Sequence, residues 1–370
     1  MDDHHPVRPE GPSRGSVTVE TSEIVRQSFL RQAKACDDLG SPFTARLCRL
    51  VAGRLSDNTE VGRQLLSWRG DPTSAGDALA LRLAGALHAL VRSRRDPALA
   101  AVYPPHGDAD EESLWAAIDV ALRRDEAFIL KWLLSPPQTN EVRRSGALVA
   151  GFLTIAGLFG KPLVLSEVGA SAGLNLQWDR YAYRLGAVSW GPASSVTLAP
   201  DWEGAAPPKA NLVVSGRAGC DLNPLDPSNA ADRDRLAAYI WADQADRLER
   251  TRNALEIANA SDLRVDRADA VEWLSDRLAR PQAGSVHVVY HSIAWQYFPP
   301  DLKARGEALI AEAGARATMD APLARLQMEA DDKPDGAAIT LQVWPSGERH
   351  EIGRADFHGR WVKWKGWPAA

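Results

Sequence analysis

The chain has 370 residues, 45% hydrophobic and 25% charged, enough for two domains or for one large domain carrying a cap. A formal net charge of −5, with no concentrated Lys/Arg stretch, argues against a nucleic-acid partner. No apolar run nears the ~18 to 20 residues that span a bilayer, and Cys36, Cys48 and Cys220 lack the C-x-x-C spacing of a zinc knot, so a soluble chain in a reducing cytoplasm is expected.

Residues 1–20 are polar, contain Gly and Pro, and lack the apolar core of a secretory signal; they read as a flexible tail in which His4 and His5 are solvated. Over residues 21–160 apolar side chains recur at three- and four-residue spacing, which predicts an all-helical cap region. Ile24, Val25, Phe29, Ala33 and Cys36 make its first stripe, and Ser41-Pro42 is a cap followed by a first-turn proline. Asp77 is placed to cap a third helix, and residues 114–134 read as a fourth. Trp68, Trp115 and Trp132 fall on apolar helix faces and are expected in the core. Ser135-Pro-Pro-Gln-Thr-Asn-Glu141 then interrupts the helices with a polar, proline-fixed turn. It either stops one helix and caps the next, or turns Gln138, Asn140 and Glu141 toward a ligand, and one loop can do both.

Over residues 161–370 the period changes. An apolar run ends in Glu167, breaks into Gly169-Ala-Ser-Ala-Gly173 and leads into a helix expected over 174–185. Gly169 and Gly173 can take backbone angles denied to other residues, and the helix start would aim free N–H groups at a ligand. Short alternating pieces near 187–209 suggest a small hairpin insertion. Next come a strand ending at Asp221, a helix over 233–259, and a short strand with a turn at Asp269. A strand over 285–291, a helix over 302–313 and strands over 322–329, 337–345 and 350–364 complete the chain, the last two paired around Ser346-Gly347. Trp361, Trp364 and Trp367 alternate with Lys363 and Lys365 as in a half-buried final strand. The alternation predicts an α/β fold: a doubly wound, mostly parallel sheet with an antiparallel C-terminal strand pair, preceded by the helical cap.

The order of strand-end acids, Glu167-Val-Gly-Ala-Ser-Ala-Gly173, then Gly219-Cys-Asp-Leu-Asn-Pro224, then Ala268-Asp-Ala270, resembles a class I S-adenosylmethionine (SAM)-dependent methyltransferase domain over roughly 161–364. The resemblance implies SAM as cofactor and a small-molecule methyl acceptor. It places Gly169 and Gly173 at the methionine end, Asp221 on the ribose hydroxyls and Asp269 near the adenine amine, with Glu167, Ala170, Ser171 and Asn175 as further cofactor-binding residues. A carboxylate suits ribose because it accepts two hydroxyl donors at once. One spacing departs from the pattern: Asp221 follows Glu167 by roughly fifty residues where about twenty is usual, a gap the hairpin insertion can absorb, with Asp226 as the nearby substitute. The whole chain, through Pro136-Pro-Gln-Thr-Asn-Glu141, Trp178-Asp-Arg-Tyr181 and His291-Ser-Ile-Ala-Trp-Gln-Tyr297, also resembles an uncharacterised bacterial family, a domain of unknown function.

Methyl acceptors sit at the end of the fourth strand in that class. There His291 could take a proton, Gln296 could orient a polar group, and Trp295 and Tyr297 could form an apolar wall; equally, His291 could simply close a strand end over a packed Trp. Two rivals remain. Gly169-Ala-Ser171-Ala-Gly173 also matches the G-x-S-x-G elbow of a serine hydrolase, with Asp269 and His291 or His350 in triad order, although no strands precede it to supply an oxyanion donor. A ligand-binding protein without catalysis is the other. Dinucleotide and P-loop readings fail on Ser171 and Leu174, which occupy required glycine positions of the first, and on the missing Gly-Lys of the second. No His/Asp/Glu cluster has metal-ligand spacing, and no metal is expected.

Overall fold

The computed structural model describes residues 18–106 and 109–368. The tail expected over 1–20, His4 and His5 included, lies outside them apart from its last three residues. Contacts divide the chain into two compact units: residues up to 137 together with 238–245, and residues 138–237 together with 246 onward.

The first unit is helical: α1 (Val19–Asp38), α2 (Pro42–Arg54), α3 (Glu60–Leu66), α4 (Leu79–Arg92), α5 (Pro97–Ala101), α6 (Glu111–Arg124) and α7 (Glu126–Leu133). Val25, Phe29, Leu47, Leu65, Leu83, Leu87 and Ile118 form its core, with Trp68, Trp115 and Trp132 packed at the margin. Ile24 falls off the first stripe and is 49% exposed. Pro42 opens α2 as expected, but the Ser41 hydroxyl does not cap it. Instead the Ser41 hydroxyl donates to Asp243, whose second carboxylate oxygen accepts the Phe43 N–H at 2.9 Å. Asp77 does not cap α4 either: Ala78, in left-handed geometry, holds that position. The Asp77 carboxylate accepts from Trp68 Nε1 at 2.7 Å and pairs with Arg82 at 3.1 Å. The long fourth helix is two, α6 and α7, divided at Asp125.

The second unit begins with α8 (Arg144–Phe159) and β1 (Leu163–Val168), followed by a 3-10 helix (Leu174–Arg180). Next come β2 (Ala182–Leu185), β3 (Val188–Trp190), β4 (Thr197–Leu198), β5 (Asp201–Gly204), β6 (Val214–Asp221), α9 (Ala230–Ala238), α10 (Ala245–Asn259), β7 (Asp266–Arg267) and α11 (Ala270–Arg277). It ends with β8 (Val286–Ser292), α12 (Pro300–Ala315), β9 (Leu323–Glu329), β10 (Ala337–Trp344), β11 (Arg349–Ala355) and β12 (Trp361–Trp364).

The main sheet runs β5-β12-β11-β10-β9-β8-β1-β6-β7. From β7 to β9 all pairings are parallel, and in chain order these five strands stand 3-2-1-4-5. The order reverses between β1 and β8, which is where ligands settle in open α/β sheets. Antiparallel β10, β11 and β12 continue the sheet as expected at the C-terminus, and β5 joins β12 in parallel. Strands covered on both faces are buried along their length, as all of β8 is, with His287, His291 and Ser292 among its buried residues. One face carries Phe152 and Ile155 of α8 against Leu165, Val288, Leu326 and Ile339. The other carries Trp273, Leu274 and Ile310 against Val168, Val289 and Trp344.

Four details differ from the sequence reading. The helix expected over 233–259 is two, α9 and α10, parted at 239–244. The strand expected over 350–364 is also two, β11 and β12, parted at 356–360. The other two concern the start of the second unit. α8 packs on the sheet, so the contact boundary falls after residue 137 and not at 160; a Cβ on Gly151 would lie 2.6 Å from Leu326 Cδ1. The helix expected over 174–185 is a seven-residue 3-10 turn followed by β2, so the hairpin starts earlier than 187 and forms a small β3-β2-β4 sheet. The reason is aromatic. Trp178 stacks on Phe152 at 4.1 Å, while the Tyr181 and Tyr183 hydroxyls donate back to the Leu174 and Trp178 carbonyls at 2.6 Å. These contacts consume the bulk that an extended helix would have laid along one face.

Candidate functional site at the strand ends

β1 delivers Glu167 to the switch point with only 2% of the residue exposed. The Tyr290 hydroxyl, from β8, lies 3.3 Å from Glu167 Oε2 and 3.2 Å from the Asn175 carbonyl. Burial pushes the Glu167 pKa well above the ordinary carboxylate range; Asp221 adds to the rise, while the Tyr290 hydrogen bond and the charge of Arg144 oppose it. Glu167 has no ion-pair partner among the described residues.

The turn after β1 takes left-handed geometry at Gly169, Ser171 and Gly173, with φ of 71°, 53° and 70°. Four of its five N–H groups, all but that of Ala172, are engaged within the protein. Those of Gly169 and Ala170 reach the Cys220 carbonyl at 3.0 Å, and that of Ser171 reaches Asp221 Oδ2 at 2.9 Å. Those of Gly173 and Leu174 reach the Ala170 carbonyl at 2.7 Å and Asn140 Oδ1 at 3.0 Å. The free helix N-terminus expected at Leu174 is therefore corrected in part: Asn140 takes the Leu174 N–H, and the 3-10 turn is too short to sum a useful dipole. Gly169 also answers to packing, since a Cβ there would stand 2.6 Å from Ala294 Cβ.

Asp221 ends β6 and accepts N–H groups from Ser171 and from Asn223, the latter at 2.8 Å. Asp269 caps α11 through the Val271 and Glu272 N–H groups at 2.9 and 3.1 Å. A carboxylate has about four acceptor positions, so each acid keeps capacity for a ligand hydroxyl or amine. Asp226 sits on an exposed turn bonded to Ser228, which holds its pKa down. Two buried polar atoms beside this region have no partner among the described residues: Ser171 Oγ, and Oε1 of Gln138, whose amide nitrogen donates to the Asn223 carbonyl.

The polar turn before α8 therefore wraps the glycine turn. Besides Asn140 on Leu174, the Asn175 amide donates to the Glu141 carbonyl at 3.3 Å and accepts from Ser145 Oγ at 2.7 Å. The Glu141 carboxylate itself faces Arg247 at 2.5 Å and Arg250 at 3.8 Å. Burial works to raise its pKa, but Arg247, His358 and Arg250 outweigh it and hold it down at about 2.

At the end of β8, His291 is fully buried with both ring nitrogens engaged. Nδ1 lies 2.7 Å from Glu329 Oε1, and Nε2 accepts from Arg325 Nε and Nη2 at 3.3 and 3.2 Å. Burial lowers its pKa against the pull of Glu329. Glu329 also accepts the N–H groups of Ala294 and Trp295 at 3.1 Å and of Gln296 at 3.2 Å. Trp295 stacks on His291 at 5.0 Å and carries the Arg325 guanidinium 4.6 Å from its ring centre. Gln296 Oε1 accepts the Ala330 N–H at 3.1 Å, while Tyr297 is 56% exposed. Trp295 is thus a packed side chain under the strand end, and His291 is held as a neutral imidazole.

The structure joins Glu167 to Asn175 through the Tyr290 hydroxyl, Asn140 to the neighbouring Leu174, and Ser171 to Asp221, all along the one turn after β1. Asp269 joins it through backbone only, by the Ala268 N–H on the Asp221 carbonyl at 3.1 Å. Among the described residues no hydrogen bond links Ser171 to a histidine: His291 is occupied as above, and His350 stands 3.6 Å from Glu348 with its ring against Trp367. Sequence reasoning missed Tyr290, Arg325, Glu329 and Arg144. Arg144 is 8% exposed and donates to the Phe357 and Ser292 carbonyls at 3.0 and 3.2 Å. Its signal was an arginine opening an otherwise apolar helix.

Among the described residues no group of His, Cys, Asp and Glu is arranged to hold a metal, and no helix is long and apolar enough to cross a membrane. Comparison with curated proteins and with solved structures finds no match. A family model described as an uncharacterised protein conserved in bacteria (DUF2332) matches residues 26–364, and the chain belongs to that family.

Proposed function

We propose that the α/β unit binds S-adenosylmethionine at the carboxyl ends of β1 and β6 and passes its methyl group to a small-molecule acceptor near the end of β8. The observation that carries the reading is Glu167: a carboxyl group buried at the switch point with no ion-pair partner among the described residues. Bound there, SAM supplies an electrophilic methyl on sulfonium together with an ammonium group. A buried, unpaired acid is a ready counter-charge for such a ligand, which would draw its proton off. Asp221 and Asp269, at the next two strand ends in the 3-2-1 order, keep acceptor capacity for hydroxyls and an amine, and the orphaned Gln138 Oε1 and Ser171 Oγ offer further polar contacts. Because four of the turn's five N–H groups are engaged within the protein, recognition rests mainly on these side chains, with the Ala172 N–H as the remaining backbone donor. With both His291 nitrogens engaged, that residue positions the 294–296 turn through Glu329, and an acceptor proton leaves by another group or by solvent.

Thermal unfolding with S-adenosylhomocysteine tests this. At a hundred times its dissociation constant the ligand adds about 2.7 kcal/mol, several degrees for a unit of this size. No shift in the wild type, or an unchanged shift in Asp221→Ala and Glu167→Gln, sinks the assignment.

One observation favours a second reading. Ser171 has the left-handed backbone of a nucleophile elbow and an unpartnered Oγ. A serine hydrolase predicts fluorophosphonate labelling of Ser171, lost in Ser171→Ala. A non-catalytic binder predicts the thermal shift without methyl turnover across an acceptor panel.

A further inference from the structure

A cavity of about 390 Å³ in the α/β unit is walled by Arg143, the 197–201 link, Arg250, Gly359 and Arg360. None of these is a strand-end residue of the site above. Its walls are fastened to one another. A Cβ on Gly359 would lie 2.5 Å from the Arg143 carbonyl oxygen, so the turn between β11 and β12 closes directly on the segment before α8. The Asp201 N–H donates to the Arg360 carbonyl at 2.8 Å, tying the β4–β5 link to the same turn.

The charges in the wall are not evenly matched. Arg360 is satisfied by Asp356, with Nε and Nη2 at 3.0 and 2.7 Å from its two oxygens. Arg143 and Arg250 share a single carboxylate, Asp246, at 2.7 and 3.4 Å. Glu141 is held by Arg247 at 2.5 Å and stands 3.8 Å from Arg250 Nη2, beyond hydrogen-bond reach. Arg143, Arg247 and Arg250 therefore meet two carboxylates, Glu141 and Asp246; the remaining acid, Asp201, is exposed at the rim. The Arg250 side chain is only 11% exposed, and its Nε and Nη2 are buried and donate to no atom among the described residues. Buried guanidinium N–H groups without an acceptor are costly, and two on one edge of the fork match the two oxygens of an oxyanion.

We propose that this cavity binds an anionic small molecule through an oxyanion, carboxylate or phosphoryl, held between the guanidinium groups of Arg250 and Arg143 that line it. The inference does not depend on the cofactor assignment. It is tested on the full chain by titrating inorganic phosphate and acetate separately, against chloride at matched ionic strength, and reading binding by calorimetry and the unfolding temperature. Saturable binding of at least one anion is expected, the tighter of the two identifying the group. Arg250→Gln should weaken it about tenfold or more. Arg250 also faces Glu141, so a second variant, Ala199→Trp, fills the exposed mouth and touches no ion pair; it should abolish binding with circular dichroism unchanged. If neither anion binds saturably above the chloride control, or if binding persists in a folded Ala199→Trp, the proposal is wrong.

Discussion

Gly169 separates two explanations of the glycine turn, because the space beside it is occupied by the protein itself. Gly169→Ala imposes a left-handed backbone on a residue with a Cβ, at about 1–2 kcal/mol. It also drives that Cβ to 2.6 Å from Ala294 Cβ, and overpacking of this kind adds about 1–3 kcal/mol. The expected loss is about 2–5 kcal/mol. Gly347→Ala is the internal control: its φ is 78° and nothing lies within 4 Å of the added Cβ, so only the backbone cost of about 1–2 kcal/mol applies. The double change Gly169→Ala/Ala294→Gly removes the close contact and should return the loss to that of the control. Urea unfolding followed by tryptophan fluorescence measures all three. If Gly169→Ala costs no more than Gly347→Ala, or if Ala294→Gly restores nothing, the glycine is not there for packing against Ala294.

Other outcomes follow from the buried charges. Because the native state raises the Glu167 pKa, it keeps a proton that the unfolded chain gives up near pH 4.3, so stability falls with rising pH by about 1.4 kcal/mol per unit until the raised pKa is passed. Glu167→Gln should remove that slope, read as urea midpoints of variant and wild type from pH 5 to 8; parallel curves would refute it. SAM binding should release a proton at pH values below the raised pKa for the same reason, seen as a calorimetric enthalpy that varies with buffer ionisation heat. Glu329→Ala leaves three backbone N–H groups and the His291–Arg325 pair without their acceptor and should cost about 3–5 kcal/mol. Glu329→Gln, which keeps an amide oxygen for the N–H groups, should cost clearly less; equal losses would mean that charge alone matters.

Much of the architecture was legible in local pattern. Helical spacing marked the first unit, apolar runs ending in Glu167 and Asp221 marked parallel strands, and Ser346-Gly347 marked the β10–β11 hairpin. Each rests on the period of a few neighbouring residues or on one turn's backbone demand. The boundary errors share one cause. Residues 238–245 continue the helix pattern of α9 and α10, yet Asp243 caps α2 from 202 residues away. Nothing local marks such a pairing.

The sequence by itself determined which residue types stand at the strand ends and in what order: Glu167, then Asp221, then Asp269, with His291 at the end of the fourth parallel strand. Only the tertiary structure decided what each is free to do. Asp221 and Asp269 already accept backbone N–H groups, Asn140 has taken the N–H of Leu174, and His291 is spent on Glu329 and Arg325. Glu167 and the Arg250 fork are left under-partnered. The physical reason is that periodicity records which face is apolar, whereas the hydrogen-bond saturation of a buried polar group depends on atoms brought in from distant parts of the chain.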